Sequence, residues 1–87
     1  MPSRAERERT QQRRALRLLA DAPEGTTEAL MMAHGFPVPL LVDLCVGGLA
    51  IATPERMVAG GRTVEVVRLK ITEAGRQALT ASRGKST

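Results

Sequence analysis

The side chains of this sequence with chemistry to offer are mostly arginines. Of its 13 basic residues, all but Lys70 and Lys85 are Arg, whose flat, forked guanidinium suits contact with phosphate or carboxylate. Arg9, Arg13 and Arg17 recur at i, i+4 and i+8, which aligns three like charges on one side of a helix. That arrangement costs a few tenths of a kcal/mol per pair. An anionic partner would reverse the cost; the alternative is a solvated face partly neutralised by Glu6 and Glu8. A second basic group, Arg56, Arg62, Arg68 and Lys70, lies in the second half of the chain. No reaction centre can be assembled beside these cations. His34 is the single histidine and Cys45 the single cysteine, and no two carboxylates sit at a workable spacing. The sequence therefore yields no catalytic residue, metal site or cofactor site, and the expectation is that the protein is not an enzyme. His34 reads as a structural residue near a helix C-terminus. Cys45 reads as an inert thiol in an apolar segment, and a lone cysteine excludes an internal disulfide.

These residues must be positioned by one small domain, expected to span residues 1–87 with residues 1–8 and 83–87 flexible. A chain of 87 residues buries only about 60–65% of its unfolded surface, which leaves it marginal alone and makes association plausible. Phe36 is the only aromatic residue, so the core must be built from Leu, Val, Ile, Met and Ala, and no aromatic platform exists for single-stranded nucleic acid. The net charge of +4 and pI near 10.6 suit an anionic partner and equally suit solubility alone. Residues 1–14 are almost all polar, unlike a secretory leader. The longest apolar region is broken by His34, Pro37, Pro39 and Asp43, so no membrane span is expected. The short apolar face of the first helix, without Trp or Phe, makes a poor membrane-surface anchor. A cytoplasmic location is the default expectation.

Local signals divide the chain into four helices and a hairpin, an α+β, mainly α, arrangement. Ser3 with Glu6 forms a capping box for a helix over 3–21, with Ala15, Leu16, Leu19 and Ala20 on its apolar side. Pro23 and Gly25 make a turn. Thr26 or Thr27 caps a short second helix ending near His34-Gly35. A third helix opens at Pro37 or Val38 and carries Leu40, Leu41, Leu44 and Cys45 as its core face; Gly47-Gly48 stop it. Leu49 to about Val58 reads as a strand, with Pro54 marking an edge or a bulge. Ala59-Gly60-Gly61-Arg62 forms a hairpin loop, and Thr63–Ile71 is a strand whose Val67, Leu69 and Ile71 face the core. Val64 and Val66, on its other face, are either packed by the loop or exposed. Thr72 caps a last helix from Glu73 to about Ala81.

Two strings carry a resemblance. Gly48-Leu49 after the third helix, and Ile71-Thr72-Glu73-Ala74-Gly75-Arg76-Gln77-Ala78-Leu79 after the hairpin, resemble segments of winged helix-turn-helix domains of the MarR-like transcriptional regulators, over roughly residues 12–81. The resemblance implies a three-helix core, a β-hairpin wing and a C-terminal helix. It also implies a DNA-binding, homodimeric regulator whose third helix enters the major groove while the wing touches the backbone. Arg9, Arg13, Arg17, Arg56, Arg62, Arg68 and Lys70 are then the candidates for backbone contact with double-stranded DNA. The third helix departs from that pattern. Its outward positions, Pro37, Val38, Pro39, Val42, Asp43 and Val46, include no donor able to reach a base edge, and Asp43 would be repelled by phosphate. Val38, Pro39, Val42 and Val46 either pack under the wing or against the first helix, or form an exposed apolar surface for a protein partner or a second copy. Exposure of Val42 and Val46 beside Asp43 would favour an interaction module over a DNA reader.

Overall fold

The computed structural model describes residues 3–84. They form an α+β chain, about half helical, with α1 (Arg4–Ala20), β1 (Thr26–Thr27), α2 (Glu28–Ala33), α3 (Val38–Val46), β2 (Ala50–Ala59), β3 (Arg62–Ile71) and α4 (Glu73–Gly84). Of the ends expected to be flexible, residues 4–8 form the opening turns of α1 and α4 continues to Gly84. Residues 1, 2 and 85–87 lie outside the described residues.

Helices α1, α2 and α4 each start where a side chain satisfies one of the first amides, whereas α3 opens at Pro37 with no side-chain cap. Ser3 Oγ accepts from the Glu6 N–H at 3.2 Å, and Thr27 Oγ1 accepts from the Leu30 N–H at 3.2 Å. Thr72 Oγ1 accepts from the Gly75 N–H at 3.0 Å while donating to the Gly48 carbonyl at 2.6 Å. The Thr72 N–H also donates to the Leu49 carbonyl at 3.0 Å. Gly75 completes this clasp. A Cβ there would collide with the Leu49 carbonyl and sit 2.7 Å from Ile71 Cγ1. Thr72 and Gly75 thus fasten α4 onto the segment that leaves α3.

The sheet is antiparallel in the order β1-β3-β2. Strands β2 and β3 pair over their full length, from Ala50↔Ile71 to Ala59↔Arg62. Gly60 and Gly61 close the hairpin with φ of +60° and +75°, the sign that the two central positions of a type I′ turn require. Strand β1 is the one element absent from the sequence reading: Thr26 pairs with Leu69 and Thr27 with Arg68. Two residues are too few for an alternating pattern to show. The bond from Thr72 to Leu49 fixes the ladder's phase, because amides alternate in direction along a strand. Odd-numbered residues of β2 turn their amides toward β3, and even-numbered ones turn them outward. Pro54 is even, so its missing N–H falls on the open edge and costs the ladder nothing.

One core holds the chain: Ala15, Leu16 and Leu19 from α1, Met31, Phe36, then Leu40, Leu41 and Leu44 from α3, with Ala50 and Leu69 from the sheet. Between Ile51 and Arg68 no residue is buried. The hairpin therefore leaves the core at its base and continues as an arm. The radius of gyration is 14.2 Å, against ~12 Å for a compact chain of this length.

Candidate interaction surface

Helix α3 is apolar on two sides. Leu40, Leu41 and Leu44 point inward, and Val38, Val42 and Val46 form an outward strip at i, i+4 and i+8, exposed by 40%, 51% and 82%. Pro39 and Asp43 beside them are exposed as well. All four apolar surface candidates, Val38, Pro39, Val42 and Val46, thus face outward rather than packing beneath the hairpin. The strip borders a groove of about 180 Å³ whose other wall is the hairpin base, Ala52 and Leu69, and whose rim carries Glu28. Cys45 lines this groove, and burial pushes its thiol up from the usual range. A neutral thiol there is one more apolar wall.

The arm is also apolar outside. Met57 and Val64 are direct cross-strand partners, exposed by 48% and 44%, and Ile51 and Val58 are more exposed still. Val66, next along the same face as Val64, is half-buried. Of the two sequence alternatives for this valine pair, Val64 takes the exposed one and Val66 lies between. The register places Met57, Val64 and Arg62 on the face opposite that of Ala52 and Leu69.

The four cations expected to cluster on the hairpin do not form one basic face. Arg68 Nε donates to Glu55 Oε1 at 2.9 Å, and its Nη1 reaches the Gly25 carbonyl at 3.4 Å. Its aliphatic stem lies over Gly25, whose φ is +101° and where a Cβ would fall 2.7 Å from Arg68 Cγ. Arg68 is a clamp holding the loop after α1 to both strands, not a cation free for phosphate. Arg56 lies on the other face with Glu65 directly opposite, an opposite-charge cross-strand arrangement. Arg62 and Lys70 remain exposed and, among the described residues, make no ion pair. On α1, Arg9, Arg13 and Arg17 are all exposed. The ion pair found on that helix is Arg4–Glu8 at 3.9 Å, too open to the solvent to hold anything firmly.

A larger cleft of about 330 Å³ lies between the first turns of α1 and α3, with Arg4 and Arg7 facing Glu8 and Asp43. Its mixed charge favours neither sign of ligand. His34 closes α2 as an exposed C-cap residue, and no three metal-ligating side chains converge among the described residues. No helix among them is long and apolar enough to cross a membrane. The Arg68–Glu55 pair was the functional-looking contact that pattern reading missed. It could have been found by fixing the register from the two-glycine turn, which puts Glu55 diagonally across from Arg68. Comparison of the chain with family models, with curated proteins and with solved structures finds no significant match.

Proposed function

We propose that this chain is a winged helix-turn-helix type of domain that works as a protein-interaction module, with the outer strip of α3 as its docking face. The order of α1, α2, α3, hairpin and α4 supports the architecture. The observation that carries the function is the exposure of Val38, Val42 and Val46 where a groove-reading helix would present donors. A base-edge contact is a hydrogen bond or a methyl contact set in a polar frame. A valine strip beside the Asp43 carboxylate supplies no such frame and adds repulsion from phosphate. Site-specific photo-crosslinking tests the reading. A benzoylphenylalanine at position 46 should give protein adducts in cells, well above those from the same group at the exposed Thr80 on α4. Equal, background yields at the two positions would end this reading.

A second reading rests on a different observation, the exposed ridge of Arg9, Arg13 and Arg17. It is contact with the backbone of duplex DNA, the mode expected of a regulator that touches phosphates without reading bases. Anisotropy of labelled random duplex at two salt concentrations tests it. Micromolar binding that weakens steeply with salt supports it, and Arg13→Ala with Arg17→Ala should then flatten the log–log salt slope by about two. Unchanged slopes would remove α1 from any DNA interface.

A further inference from the structure

We propose that the partner of the α3 groove is a second copy of this chain, and that the contact is reciprocal: the arm tip of each copy seats its Met57–Val64 face against the other's α3 strip. The inference rests on the docking reading of α3 and adds the identity of what docks. Three observations on the molecule point to it. The first is shape. The chain exposes 6312 Å², against ~5,000 Å² expected for a compact monomer of 9.3 kDa. The excess is larger than the ~800 Å² that each partner gives to a standard interface. The second is that the chain carries both halves of an apolar contact and joins neither to the other. Met57 and Val64 face away from the groove side of the sheet, so no bend of the arm within one chain brings them onto Val38, Val42 and Val46. A second copy related by a two-fold axis can place each half on the other, and such an exchange closes on itself. The third is charge. The acid groups beside the strip are Glu28 and Asp43, and the cation on the Met57–Val64 face at the tip is Arg62, which has no ion-pair partner within the described chain. Like-charged rims would oppose this seating; these are opposite.

The chain supplies its own reporter for the test. Cys45, its only cysteine, lines the groove. Val64 is five residues along β3 from Leu69 of the groove wall, ~17 Å at strand rise, and lies on the opposite face of the sheet. A thiol introduced by Val64→Cys is therefore beyond the 4.4–6.8 Å Cα separation of a disulfide within one chain. Under diamide, which takes up the two electrons and two protons released per bridge, the Val64→Cys chain should become a covalent dimer. Peptide mapping should join Cys45 to the introduced thiol. Cross-linking should be roughly 100-fold faster than for the same variant carrying Cys45→Ser, because docking raises the local thiol concentration from micromolar toward millimolar. Light scattering on the unmodified chain at high micromolar concentration should give twice 9.3 kDa, and Val46→Lys should return it to one copy while unfolding like the unmodified chain at dilutions where both are monomeric. A monomeric unmodified chain, or cross-linking no faster with Cys45 than without it, overturns the second-copy proposal. Adducts of other masses at position 46 would then leave the docking reading standing, and their absence would remove both.

Discussion

The body and the arm of this molecule are built from similar residues put to opposite use. In the body, Leu16, Leu19, Met31, Leu41 and Leu44 close one core in which Leu19 and Met31 expose nothing. In the arm, Met57, Val58 and Val64 are between 44% and 79% exposed, and two strands are held by their ladder, a two-glycine turn and the Arg68–Glu55 pair. The difference teaches that hydrophobic side chains here serve two masters. Burial in the body supplies the free energy that fixes the fold, at about 25 cal/mol per Å² removed from water. Apolar surface on the arm and on the outer strip of α3 is left unburied in the single chain and contributes little to its fold.

The contrast can be broken or sharpened by substitution. The largest effect should come from Leu44→Ala, which empties a fully buried position of α3. A loss of ~2–5 kcal/mol in denaturant unfolding is expected, enough to leave so small a chain largely unfolded. Gly75→Ala should follow at ~1–3 kcal/mol, because the new methyl must displace the Leu49 carbonyl or Ile71. Its signature is loosened α4 amides in hydrogen exchange while the α1–α3 amides keep their protection. Arg68→Ala should cost about 1 kcal/mol or less. The side chains of the Arg68–Glu55 pair are 27% and 39% exposed, and solvent screens a pair of that kind. The smallest effect on unfolding, within about 0.5 kcal/mol, belongs to Val46→Lys on the outer strip. A loss at Val46 comparable with that at Leu44 would show that the strip is part of the core after all, and the contrast between the two regions would fail.

The parts of this architecture that announce themselves in the sequence are those governed by local physics. Ser3 with Glu6, the Leu40-Leu41-Leu44 spacing, the Gly60-Gly61 turn and the alternation through Leu69 each encode their element within a few residues. What was hidden depends on register and on distant neighbours. Thr26-Thr27 becomes a strand only because Leu69 and Arg68 are there to receive it. Arg68 reads as an outward cation until Glu55 is placed beside it. The fate of the α3 valines could not be settled by periodicity either, since Leu41 and Val42 are equally apolar and only the packed body decides which is covered. The string Ile71–Leu79 suggested a family resemblance through residues that here do structural duty, with Thr72 and Gly75 joining α4 to the chain after α3. That is why it speaks to architecture more clearly than to a ligand.

Pro54 has a consequence for what kind of assembly this chain can enter. An exposed strand such as β2 is a template on which further chains can add by backbone pairing, and repeated addition leads to fibrils. At Pro54 the outward-facing donor is missing from the middle of that template. A growing cross-β stack would meet an interruption at the same height in every copy. Side-chain docking is untouched by this gap, so the proline favours assemblies of finite size over open-ended ones.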